Sequence, residues 1–184
     1  MSMRQEGGEV VVTLTLVEML NGANIGVIRH HESVSNNRAS ANVWQEDRRS
    51  GLSIHVEGAM GEICAAKVRD KYYEGTVNSF KGADIGENIQ VRCTNSHNRR
   101  LWMFKNDNPD HFYVLVTGVA PTFKVRGWIY GHEGQKEEYL ESHNGQREIY
   151  YIPTKILRPI GIKPKEKIND FTTQPAATNG DAKG

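Results

Sequence analysis

Apolar and polar positions change period several times along this chain, and each change marks an element. Glu9 to Leu14 is a short β-branched run centred on Val10-Val11-Val12 and reads as a strand. Thr15-Leu16-Val17-Glu18 follows as a capping box, with Thr15 as N-cap and Glu18 reaching back to it. Leu16, Met19, Leu20, Ala23 and Val27 then recur at helical spacing. They predict a helix from about Leu16 to His30, weakened by Gly22 and Gly26. From Ser33 to Gly51 polar residues dominate, and a loop anchored by Trp44 is expected. A second helix is predicted from about Val56 to Tyr72. Met60, Cys64 and Val68 form its apolar ridge at spacing four, with Ile63 beside them. Glu62, Ala65, Ala66 and Arg69 make the adjoining face. The alanines leave room for a sheet to approach, and the carboxylate beside them can overhang the sheet edge. Glu74-Gly75 ends this helix.

Strands dominate thereafter. Short ones are expected near Thr76–Phe80, Ala83–Ile85, Ile89–Thr94 and Leu101–Phe104, with a loop over Asn106–Asp110. His111 to Val119 is almost continuously apolar, as suits a central strand covered on both faces. Lys124 to Tyr130 reads as its neighbour, and Ile149–Ile152 as an edge segment limited by Pro153. The order of elements predicts an α/β domain with a mixed sheet. Residues 1–55 would supply an N-terminal strand, helix and polar loop packing on the core. Residues 56–160 would form that core, and 161–184, rich in Lys, Pro, Thr, Ala, Asn and Gly, a disordered tail.

Bulk properties narrow the classes. A chain of 184 residues suffices for one domain with one buried core. The formal net charge of +1 offers no global basic field, so nucleic-acid binding would need a local patch and would be salt-sensitive. Cys64 and Cys93 lack zinc-site spacing and give no disulfide framework, so reduced thiols are expected. No apolar run reaches the length of a membrane span and the N-terminus has no apolar signal core; a cytoplasmic protein is expected. The seven histidines show no H-x-x-x-H or H-E-x-x-H spacing.

The densest chemistry lies in Gly82-Ala83-Asp84-Ile85-Gly86-Glu87-Asn88-Ile89-Gln90-Val91-Arg92-Cys93-Thr94, two short strands joined by a tight turn. Gln90 and Arg92 share a strand face, where they can converge on whatever Asp84 holds. With Gly61-Glu62 on the preceding helix, this resembles the signature of the PD-(D/E)XK nuclease superfamily: a helical glutamate, an aspartate, then (D/E/Q)-x-K. The likeness is greatest to small phage and bacterial members with a Gly-Trp-Ile-x-Gly-x-Glu stretch, here Gly127-Trp128-Ile129-Tyr130-Gly131-His132-Glu133. It spans roughly Gly58 to Glu133.

The resemblance implies a restriction-endonuclease-like core, a mixed central sheet flanked by helices. It implies a metal-dependent deoxyribonuclease in the cytoplasm, the host's if the chain is phage-encoded. Glu62, Asp84, Gln90 and Arg92 would be catalytic, and Asp84, Glu62 and Gln90 would hold Mg²⁺ or Mn²⁺. Two positions depart from the pattern. Gln90 removes a negative charge, and Arg92 replaces a lysine. A guanidinium can clamp a phosphate but cannot shed its proton. The second reading is therefore a weak or inactive nuclease fold that binds nucleic acid or a phage or host protein. His97, Arg99 and Arg100, after the site strand, would grip the DNA backbone, extended by Arg38, Arg48 and Arg49. Trp102, Phe104 and Trp128 read as core or strand-pair residues, and Glu137, Glu138 and Glu141 as a solvated face. A homodimer, the choice of DNA or RNA, and endo- or exonuclease action stay open.

Overall fold

The structure, a computed structural model, describes residues 2–36, 50–75, 77, 82–142 and 147–161. Its scaffold is a sheet of five strands: β1 (Ser2–Glu6), β2 (Glu9–Thr13), β3 (Ile89–Thr94), β5 (Phe112–Val119) and β6 (Thr122–Tyr130). Their order across the sheet is β1-β2-β6-β5-β3. β3 runs parallel to β5, and every other pairing is antiparallel, so the sheet is mixed. A second, antiparallel sheet is formed by β4 (Leu101–Phe104), β7 (Leu140–Ser142) and β8 (Glu148–Ile152), in the order β4-β8-β7.

The apolar run of β5 is buried on both sides because two cores meet across it. Val114 and Val116 face α2 (Gly51–Val68), whose Met60, Ile63, Cys64 and Val68 fill the first core. Tyr113 and Leu115 face the second core, with Leu101 and Met103 of β4 and Ile152 of β8. The expected flank of helices is thus present on one face of the main sheet, where α1 (Leu16–Ser35) lies on α2, while the small sheet covers the other.

Several boundaries differ from expectation. The Thr15–Glu18 capping box forms, but α1 continues beyond His30 to Ser35. Of the stripe read as buried, Met19 and Ala23 pack against the core, but Leu16, Leu20 and Val27 are exposed, and Gly22 and Gly26 face inwards. α2 starts earlier than Val56, capped by the Ser50 hydroxyl, and stops at Val68, since Asp70 (φ 50°) turns the chain into the left-handed region. The expected hairpin is reduced on its first side to one bridge, Ile85↔Ile89. β8 is central in the small sheet rather than an edge, because Pro153 lies just past its last paired residue. The expected strand Thr76–Phe80, the Trp44 loop and the tail fall outside the described residues, apart from Val77, Gly161 and the loop's ends. No described helix is long and apolar enough to cross a membrane.

The Gly-Trp stretch has a structural explanation. β6 carries a bulge opposite Leu115/Val116, and Gly127 adopts φ 144° there. A side chain at Gly127 would lie 2.6 Å from the Arg158 carbonyl oxygen, blocking the segment that bridges Trp128 through paired backbone hydrogen bonds with Arg158.

Candidate active site

Glycines bring the first carboxylate into position. Gly26 lets α1 approach α2 so closely that a Cβ there would sit 2.5 Å from Val56 Cα. Three residues on, Arg29 reaches across and grips Glu62 with both guanidinium nitrogens, at 2.6 and 2.8 Å. On the other side Gly61 lies against Cys93 of β3, where a Cβ would be 2.6 Å from Sγ, so α2 meets the sheet beside Glu62. Tyr73, beyond the end of α2, donates its hydroxyl to Glu62 Oε2 at 2.8 Å. Burial works against the Arg29 charge, but the Glu62 carboxylate outweighs it and holds the guanidinium above its usual range. Burial and then the Glu62 charge push the Tyr73 phenol up as well. Glu62 is a buried anion whose cost is offset by a fork of charge-assisted bonds.

Asp84 is held differently. Gly86, at φ 58°, makes the turn that folds Asp84 back on β3. Its backbone N–H donates to the Ile89 carbonyl at 2.9 Å. Its Oδ2 accepts the Val91 N–H at 2.7 Å, and its Oδ1 accepts no hydrogen bond among the described residues. Burial, then the charge of Glu62, raise its carboxyl to about 6; the Val91 N–H, Arg92 and Arg29 oppose the rise. The helical glutamate and the turn aspartate, far apart in sequence, therefore lie within electrostatic reach of each other, with two arginines around them.

Gln90 and Arg92 share a face of β3, opposite to that of Val91. The Gln90 amide nitrogen donates to the Gly82 carbonyl at 2.9 Å and faces His111 Nδ1 at 3.4 Å, leaving its oxygen without a partner among the described residues. Arg92, expected to serve the Asp84 centre, is tied elsewhere. It donates to Asp107 Oδ2 at 2.6 Å and to the Trp102 carbonyl at 3.3 Å, and lies over the Tyr113 ring. Only its charge reaches Asp84.

The expected phosphate grip is also engaged elsewhere. It follows the far end of β3, away from the Asp84 turn. His97 Nδ1 pairs with the Thr117 hydroxyl at 2.8 Å, and Arg100 forms a fork on Glu141 at 2.5 and 2.8 Å and lies over Tyr151. Glu137 and Glu138 are exposed as expected, and Glu141, its side chain more than a third exposed, is in addition an ion-pair partner. Arg99 also has interactions of its own. Arg38, Arg48 and Arg49 lie outside the described residues. Beside the Asp84 turn, instead, is a cleft of about 290 Å³ lined by Arg69, Lys71, Asn88, Ile89, Phe112, Val114, Trp128 and Ile160. Arg69 and Lys71 make no ion pair among the described residues.

No cluster of three or more His, Cys, Asp or Glu side chains suited to a metal occurs among the described residues. Two carboxylates and an amide are the candidate donors, but they do not all converge as expected: Glu62 lies on the face of β3 that α2 covers, whereas Gln90 lies on the opposite face, with Asp84 at the turn between them. No family model matches this chain, and no curated protein or solved structure does. The site therefore rests on its own geometry. That geometry adds Arg29, Tyr73 and His111 to the residues read from sequence. Only Arg29 left a trace there, as a charge on the same helical face as Gly22 and Gly26.

Proposed function

We propose that the chain is a metal-dependent nuclease with a restriction-endonuclease-like core, cutting DNA phosphodiester bonds at a centre built on Asp84. The observation that carries this is the Asp84 carboxyl: one oxygen pinned by a backbone N–H, the other uncommitted, and its charge disfavoured beside Glu62. A carboxylate so placed gains from a cation. The donor set fits a hard divalent ion that keeps much of its water and takes one or two carboxylates, as Mg²⁺ does. Asp84 Oδ1 would be the direct ligand and the Gln90 oxygen a second. Glu62 has three of its roughly four acceptor sites filled by Arg29 and Tyr73, which suits it to hold and orient the site through hydrogen bonds. When bound, the ion supplies Lewis-acid polarisation of the scissile phosphate. Arg92, fixed by Asp107, contributes positive potential and not a transferable proton. Arg69 and Lys71, in the cleft beside the turn, are the cations placed to take a flanking phosphate.

The tether of Arg92 favours a second reading, a nuclease fold that binds nucleic acid without cutting it. One experiment separates the two. Supercoiled plasmid and linear DNA are incubated with the protein and Mg²⁺ or Mn²⁺, and binding is measured in parallel at rising salt. The nuclease reading expects cleavage that Asp84→Ala abolishes; cleavage unchanged by that substitution would sink it. Salt-dependent binding without cleavage, weakened by Arg69→Glu with Lys71→Glu, selects the second reading.

A further inference from the structure

α1 is amphipathic in the wrong sense for a lone surface helix. Its only buried residues are Gly22 and Gly26, and of its leucines, isoleucines and valines all but Ile25 are exposed. Val17, Leu20, Val27 and Val34 are each more than half exposed. They follow one another at spacings of three and seven, and Asn24 and His31 complete a repeat of alternating three and four. That repeat is the seam of a two-helix coiled coil, with Val17, Asn24 and His31 at one position of the heptad and Leu20, Val27 and Val34 at the other. The outward face carries no Asp, Glu, Lys or Arg. The charges of α1 are engaged: Glu18 with Lys67 and the Thr15 cap, Arg29 with Glu62, and Glu32 with Asn36.

We propose that this face is a dimer interface, on which α1 of a second copy packs in parallel, Asn24 against Asn24. Three considerations select that occupant. An uncharged face gives a charged partner nothing to recognise. A helix lying on a lipid surface carries basic residues along its polar border, and α1 has none in its last turn, while Arg29 is turned in to Glu62. A second copy, by contrast, presents the same charge-free stripe, and in an isologous parallel pair each polar seam residue meets its own kind. Asn24 makes no hydrogen bond among the described residues, and a buried asparagine at this heptad position is the usual device for fixing register. The area is adequate. With Leu16 and Ile28 flanking the seam, the exposed aliphatic side chains supply roughly 300–400 Å² per copy, and the polar seam residues bring the pair to about the 1,000 Å² a specific interface needs. The inference is independent of the nuclease reading.

Sedimentation equilibrium of the full chain tests it. The wild type is expected to pass from monomer to dimer across the micromolar range, below about 300 µM. Leu20→Asp with Val27→Asp should be monomeric throughout, with an unchanged far-ultraviolet spectrum, since both side chains are solvent-facing in the single chain. Asn24→Cys should give a disulfide-linked dimer under mild copper-phenanthroline oxidation that the wild type does not, since Cys64 is buried and the part-buried Cys93 lies against Gly61 beneath α2, away from the outward face of α1. A wild type that stays monomeric, or that co-sediments with anionic vesicles as a monomer, would overturn the proposal. So would a dimer untouched by the two aspartates. Failure of Asn24→Cys to cross-link would overturn the parallel register.

Discussion

Two acids in the same neighbourhood, Glu62 buried and Asp84 part-buried, are stabilised to different degrees, and the difference is measurable. Glu62 accepts three hydrogen bonds from Arg29 and Tyr73, whereas Asp84 accepts one from Val91 and titrates at about 6 against an ordinary value of 3.8. A carboxyl whose folded pKa is raised holds a proton that the unfolded chain has already released. Its contribution to stability is therefore greatest below about pH 4 and declines as pH rises towards 6 and above. With allowance for partial solvent screening, about 1–3 kcal/mol is at stake. Asp84→Asn keeps an acceptor for Val91 and removes the charge. Urea melts should find it more stable than wild type at pH 7.5 and equal to it near pH 4; an equal gap at both pH values would contradict the assigned titration. The two acids were legible in the chain because a motif of residue types marks them. Arg29 and Tyr73 were not, since periodicity tells which way a side chain points and not what it meets. Arg92 shows the same limit: its strand face was read correctly, but its partner, Asp107, lies beyond β4 in a loop whose course no local pattern reveals.

Among the elements, the α1–α2 contact governs the site. Gly22 and Gly26 allow the close approach that carries Arg29 to Glu62, so backbone proximity and ion pairing are coupled. Gly26→Leu places a branched side chain where Val56 backbone stands. It should destabilise the fold by about 3 kcal/mol or more, combining overpacking with loss of a buried ion pair. A substitution on the exposed side of the same helix, Ile28→Leu, should change little in the monomer. Equal melting of the two variants would show that α1 is not pressed on α2. The existence and order of most elements could be read from the chain, because β5 is a long, almost unbroken apolar run and α2 a long stretch of apolar and small residues. The orientation of α1 could not. Its outer leucines and valines and its inner glycines give two candidate faces, and of the apolar stripe only Met19 and Ala23 turn out to pack on the core. β7 and β1, short and largely polar, carry no periodic signal to find.

At the scale of the whole molecule the site is a junction: α1 supplies Arg29, α2 Glu62, the turn before β3 Asp84, and β3 itself Gln90. None of these segments holds the arrangement alone, so a ligand for it binds the folded chain and not the unfolded one. Such a ligand must raise the folded population by mass action. For a divalent ion of about millimolar affinity supplied at about 10 mM, the gain is about 1.4 kcal/mol. In a chain of this size that is a rise of roughly 3–6 °C in the thermal midpoint. The effect has a pH signature, because an ion competes with the proton on Asp84. It should be full at pH 8, where the carboxyl is ionised, and weaken as pH falls through about 6. Asp84→Asn should abolish it at every pH, whereas Glu141→Gln, which loosens Arg100 at the far end of the small sheet, should leave it intact. Differential scanning fluorimetry with Mg²⁺, Mn²⁺ and a K⁺ control of matched ionic strength reads all of this without requiring turnover. A midpoint that rises equally in wild type and Asp84→Asn would place the ion elsewhere; one that does not rise in wild type would remove the metal from the proposal.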